Sequence, residues 1–92
     1  MNDIICKAIN DRLLLGFIYK GAMRWVEPHT YGLKKNGIDG LCAWQRIGGS
    51  GEAFRLFLEP EMQFLELGEA FDFEREGYVR GDAQFVQIYA EL

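Results

Sequence analysis

Apolar residues open the chain at helical spacing. Ile4, Ile5, Ala8, Ile9 and Leu13 recur at i, i+4 and i+5, while Lys7, Asn10, Asp11 and Arg12 fall mostly on the opposite side. This pattern predicts a helix from about Asp3 to Arg12, capped by Asn2 or Asp3. The period then shortens to two. Leu14–Lys20 and Met23–Glu27 read as strands separated by Gly21-Ala22, where glycine at the first central position suits a type II′ hairpin turn. That turn sets Lys20 opposite Met23, Tyr19 opposite Arg24, Ile18 opposite Trp25 and Phe17 opposite Val26. Alternation groups Phe17, Tyr19, Arg24 and Val26 on one face, with Ile18, Met23 and Trp25 on the other. Pro28 lacks an N–H and is expected to end the pairing.

His29–Asn36 reads as a loop or irregular strand. Leu41–Ile47 is a third strand, with Leu41, Ala43 and Gln45 on one face and Cys42, Trp44 and Arg46 on the other. GGSG at 48–51 is a turn, and Ala53–Leu58 a fourth strand. Glu59–Leu67 reads as a short helical turn or irregular segment, and Phe71 and Phe73 alternate as in a short strand. Asp82 is placed to cap a last helix carrying Phe85, Ile88, Tyr89 and Leu92 at helical spacing. A strand is the alternative for FVQIY.

The length of 92 residues suits a single domain over 1–92, and a composition 49% apolar and 14% aromatic supplies a core. A domain of this size is marginal by surface-to-volume scaling, so a homodimer or a partner protein is expected. No leader or membrane span is expected, because the N-terminal stretch carries acid and has no long apolar run, and no run approaches the ~18 needed. Cys6 and Cys42 have no CxxC spacing, which points to reduced thiols and a cytoplasmic location.

Net charge is −4, unevenly spread. Residues 1–46 hold seven Lys/Arg against four Asp/Glu; residues 47–92 hold three against ten. A protein that coats nucleic acid is usually basic throughout, so that class is disfavoured, while a local basic site in the first half remains open. The acidic second half has no DxD or HExxH spacing, and GGSG lacks the lysine of a phosphate-binding loop. A single histidine and two separate cysteines assemble neither a metal site nor a nucleophile–base pair, so neither an enzyme nor a cofactor is expected.

Two readings attach to each candidate residue. Arg24 is either a structural arginine paired with Glu27 or another carboxylate, or an anion-binding fork. Arg46 and Arg55, on strands joined by GGSG, are expected near each other on one face with Trp44 and Phe57. There they either line a solvated face or hold a nucleotide, with phosphate on guanidinium and base on ring. His29 either ends a loop or hydrogen-bonds a ligand. Tyr19 and Tyr31 are either stacking residues or tyrosines at a core edge. Cys42 reads as a small buried hydrophobe.

The order of segments resembles the WYL domain family. FIY at 17–19, a turn, RWVEP at 24–28, the pair Tyr31-Gly32 and the strand FRLF at 54–57 carry the likeness, which covers roughly residues 4–73. Where the family often has Trp-Tyr-Leu, this chain has Asp39-Gly40-Leu41 followed by CAWQ. The family's usual N-terminal helix-turn-helix domain is not in this sequence. The resemblance implies an α+β fold: a small, Sm-like, strongly bent antiparallel β-barrel with an N-terminal helix and a short C-terminal helix. It also implies a ligand-sensing regulatory module for transcription or defence, binding a nucleotide, short nucleic acid or other anion. The family's polar surface maps to Tyr19, Arg24, His29, Tyr31, Arg46 and Arg55. The competing class is a protein-interaction or oligomerisation module built on Trp25, Ile18 and Met23.

Overall fold

The computed structural model describes residues 1–92. One helix, α1 (Asp3–Asn10), precedes six strands: β1 (Leu13–Tyr19), β2 (Ala22–Lys34), β3 (Asp39–Ile47), β4 (Ala53–Leu58), β5 (Gln63–Ala70) and β6 (Phe85–Glu91). The Asn2 side chain caps α1, accepting from the N–H groups of Ile4 and Ile5. The strands form one antiparallel sheet in the order β4-β3-β2-β1-β5, with β6 also on β2. No helix is long and apolar enough to cross a membrane.

The thirteen-residue β2 organises the sheet. Along one edge it pairs β3; along the other it pairs β1 through Ala22–Val26 and then β6 through Thr30–Lys34. Pro28 therefore does not end the strand, contrary to the sequence reading. It falls between those two partners, where its missing N–H costs no bond to either, beside a register shift against β3. Gly32 allows the second handover: a Cβ there would lie 2.2 Å from the Gln87 carbonyl oxygen of β6.

The expected C-terminal helix is a strand. Beyond Val26 the far edge of β2 would present unpaired backbone groups, and β6 satisfies them. A few turns of isolated helix rich in β-branched and aromatic residues cannot compete with that ladder. Likewise the 59–67 segment is a single 3-10 turn (Glu59–Glu61) followed by β5, and Phe71 and Phe73 lie outside any strand. The closed barrel is also corrected: β4 and β5 are both edges, and no ladder joins them. β5 pairs β1 through two register shifts and contains Phe64 at φ 55.

The hairpin turn sits one residue earlier than expected. Tyr19 pairs with Ala22, and Lys20 and Gly21 form the turn with φ of 50° and 77°. Positive φ at both positions is the primed turn whose twist matches the flanking strands. The slip moves Arg24 opposite Phe17 instead of Tyr19, yet the face grouping survives, because partners shift in steps of two.

The apolar core lies on the inner face. Ile5, Ala8 and Ile9 of α1 pack there with Leu15, Phe17, Tyr19, Val26, Tyr31, Leu41, Ala43, Phe57, Met62 and Ala90. The Phe57 ring meets both Phe17 and Tyr19 edge-on at 5.0 Å. Burying each large side chain of this set contributes roughly 1.5–3 kcal/mol.

A carboxylate under a strap on the outer face

Val26 points into the core, so its neighbour Glu27 points out, next to Trp44 on β3. Glu27 is nevertheless 1% exposed. The cover is the strap 71–84 between β5 and β6, which crosses this part of the outer face. Arg75 of the strap grips the Glu27 carboxylate with two bonds, Nε to Oε1 at 2.9 Å and Nη2 to Oε2 at 2.8 Å. From β3, Arg46 Nε donates to Oε2 at 2.6 Å. Burial works against the charge on Glu27, but hydrogen bonds from Arg75 and Arg46 outweigh it and hold the carboxyl below its ordinary range. The same bonds raise the Arg75 guanidinium pKa further.

His29 latches the strap. Its Nε2 accepts the backbone N–H of Arg75 at 3.0 Å, and its Nδ1 lies 2.7 Å from the Glu27 carbonyl. One nitrogen must accept and the other donate, so the ring is the neutral Nδ1–H tautomer. Burial lowers the His29 pKa, in keeping with that state. Phe71 stacks against the ring, and Phe54 and Tyr78 meet it at steeper angles. Arg75 lies over Trp44, 5.1 Å from the ring centroid. Elsewhere Phe71 N–H donates to the Arg12 carbonyl, Tyr78 Oη donates to the Leu92 carbonyl, and Gly81 N–H donates to Glu91.

A hollow of about 280 Å³ opens between strap and sheet, lined by Glu27, Arg46, Phe71, Asp72, Phe73, Glu74 and Arg75. Both arginine side chains remain about two-fifths exposed. Arg46 makes no bond through its Nη groups and Arg75 none through Nη1. Glu74 is engaged by Arg12 at 3.6 Å. Two guanidinium groups neutralise the Glu27 carboxylate and retain unbonded donors, while Asp72 and Glu74 line the same hollow. No group of three or more His, Cys, Asp or Glu side chains is placed to hold a metal ion.

No family model, curated protein or solved structure matches the chain.

Of the six residues singled out in the sequence, Arg46 alone lines this hollow. Tyr19 and Arg24 do share a face, with the guanidinium 5.7 Å from the phenol ring, but that face is the inner one. Tyr19 is buried and its Oη accepts the Leu58 N–H. Arg24 donates to Gln45 Oε1 at 2.8 Å and to the Tyr19 carbonyl at 3.1 Å. Gln45 in turn donates to the carbonyls of Gly48 and Gly51, so Arg24 and Gln45 together brace the GGSG turn. Glu27 is not the partner of Arg24. Residues three apart on a strand point to opposite faces, a parity already present in the sequence.

Tyr31 is wholly buried. Its Oη accepts the Asn2 N–H at 2.9 Å and donates to Glu59 at 3.2 Å, and burial raises its pKa. His29 lies within β2, the strand alternative of the reading for 29–36. Arg46 and Arg55 are not together: Arg55 pairs with Ala43 on the inner face and bonds Ser50 Oγ, whereas Arg46 lies outward with Trp44. Phe57 is likewise inward, and the ring that meets Trp44 is Phe54. Cys42 is pushed up to about 11 by burial and by Asp82, so its thiol stays protonated near neutrality. The residue missed altogether was Arg75, since an arginine in an acidic loop carries no periodic signal.

Proposed function

We propose that the chain is a WYL-like regulatory domain that recognises a small anion, such as a nucleotide or the end of a short nucleic acid, through Arg46 and Arg75. The observation that carries this reading is the surplus of guanidinium over carboxylate at Glu27, with unpartnered donors at the mouth of a hollow. Within the RWVEP segment that resembles WYL domains, Glu27 is the residue at this site, and its neighbours hold the strand that presents it. Arg24 braces a turn, Val26 enters the core, Glu27 anchors two arginines and Pro28 passes between strand partners. His29 then latches the strap.

The acidic surroundings set the ligand's size. Asp72 and Glu74 line the same hollow, and the whole chain is at −4. A compact ligand with one anionic group avoids those carboxylates, while a long polyanion meets them. Calorimetric titration of mononucleotides and short single strands tests the assignment. Arg46→Ala is the informative variant, because Arg75 still holds Glu27; it is expected to weaken binding about tenfold. Arg24→Ala should leave binding unchanged. Equal affinity in wild type and Arg46→Ala removes the site.

A second reading, a protein-interaction module, has its own observation: Phe64 and Phe73 are 79% and 80% exposed. Light scattering on wild type and on Phe64→Ser, which removes one of the two exposed rings, separates the two. A monomer at high concentration removes self-association.

A further inference from the structure

Arg46 lines a second hollow as well. On the outer face of β1, β2, β3 and β5, Leu14, Trp25, Arg46, Ile47, Gly68 and Glu69 line an open hollow of about 340 Å³. Two residues without side chains shape it. Gly16 lies opposite Trp25 in the β1–β2 ladder, and a Cβ there would lie 2.7, 2.8 and 2.9 Å from three atoms of the six-membered indole ring. Gly68 on β5 is similarly close, its Cβ falling 2.7 Å from the same ring. The indole therefore lies face-on across β1 and reaches β5, a position that any larger residue would close. One side of the ring rests on backbone, and the half-buried remainder faces the hollow with Leu14 and Ile47.

The two hollows differ in chemistry. The first is ionic, with five charged residues among its seven; the second is mainly apolar. Arg46 is the wall common to both. Its Nε is committed to Glu27 and its two Nη groups have no protein partner. Carboxylates bound the pair at either end, Glu69 in one hollow and Asp72 and Glu74 in the other.

We propose that the two hollows form one composite site for a planar aromatic anion. An aryl ring stacks on Trp25 between Leu14 and Ile47, and its carboxylate, sulfonate or phosphate meets the Nη groups of Arg46 with Arg75 beyond. This rests on the anion reading above and adds its aromatic half. Stacking on an indole rewards a flat ring, and the flanking carboxylates confine the ligand's charge to the arginines.

Three probes dissect the site in the full chain by calorimetry: naphthalene-2-sulfonate, methanesulfonate and uncharged 2-naphthol. The expected result is that naphthalene-2-sulfonate binds about tenfold or more tightly than either partial probe, the stacking contribution of one ring. Arg46→Gln should weaken both sulfonates. Ile47→Ser, at a rim position already 60% exposed, should weaken naphthalene-2-sulfonate about threefold and leave methanesulfonate unchanged. In Trp44→Phe, which leaves Trp25 as the single tryptophan, its fluorescence should change on adding naphthalene-2-sulfonate. Equal affinity for the two sulfonates, with no effect of Ile47→Ser, overturns the aromatic half and leaves the anion reading standing. Absence of binding by both sulfonates and by mononucleotides overturns both. A dimer in light scattering that dissociates on Trp25→Asp shows the hollow covered by a second copy and overturns the composite site.

Discussion

The two faces of this sheet are stabilised by different physics. The inner face is an apolar core in which Phe17, Tyr19 and Phe57 pack edge to face beneath α1. The part of the outer face under the strap is a polar and aromatic cluster, held by one buried carboxylate, two arginines and a neutral histidine. The first depends on contact area, which is non-directional and insensitive to pH. The second depends on protonation states and on donors aligned to within a few tenths of an ångström. The inner face can therefore be assembled from many similar residues, whereas the outer cluster fails if one partner changes charge.

Four changes would break or sharpen that contrast. Phe57→Ala removes the ring at the centre of the inner face and is expected to cost about 3–5 kcal/mol in urea denaturation, with the pH profile of stability unchanged. Glu27→Ala leaves two guanidinium groups facing a space that lacks its carboxylate. Because both guanidinium groups are about two-fifths exposed and can hydrate, the loss is about 2 kcal/mol, with faster tryptic cleavage after Arg75 and Arg80. A loss below 0.5 kcal/mol, roughly that of an exposed substitution, would show that the outer cluster is not held as described.

Arg75→Ala frees the strap but leaves Arg46 on Glu27. Because Arg75 is two-fifths exposed, solvent screening discounts the loss to about 1–2 kcal/mol, and hydrogen exchange should quicken in 71–84 before it quickens in β1 or β3. The smallest effect is that of pH. The His29 pKa lies below its ordinary 6.5 in the folded protein, so the unfolded chain takes up a proton first as pH falls. Stability from the neutral ring is complete above about 6.5 and declines as pH drops through the folded value. Glu27 acts in the same direction lower down: its contribution is present above its ordinary 4.5 and is lost as pH falls through its lower folded value. Denaturation midpoints between pH 8 and 5 should fall for the wild type and be flatter for His29→Gln.

Much of the inner face was legible in the sequence. The helical spacing of Ile5, Ala8 and Ile9 identified a buried side, and the alternation of Phe17, Tyr19 and Val26 placed them on one face without marking that face as the core. Such patterns report local geometry, and local geometry is what they predicted correctly even where the turn slipped by one residue. The strand β6 was misread because FVQIYA satisfies two periods at once over so short a run. Only the unpaired edge of β2, a feature of another part of the chain, chooses between them. The outer site was less legible. Glu27 and Arg46 stand nineteen positions apart, and Arg75 a further twenty-nine. No spacing rule joins a strand carboxylate to an arginine in a later loop.

Periodicity along the chain marked the helix face that leaves water, a hairpin close to Gly21 and which strand faces are alike, because these follow from the fixed repeat of backbone geometry. Tertiary structure alone decided that β2 serves two partners in succession, that the sheet stays open, and that a loop arginine returns to a carboxylate on an early strand. Those outcomes turn on which unpaired backbone groups and buried charges meet once the chain has collapsed, and that is a property of the assembled whole.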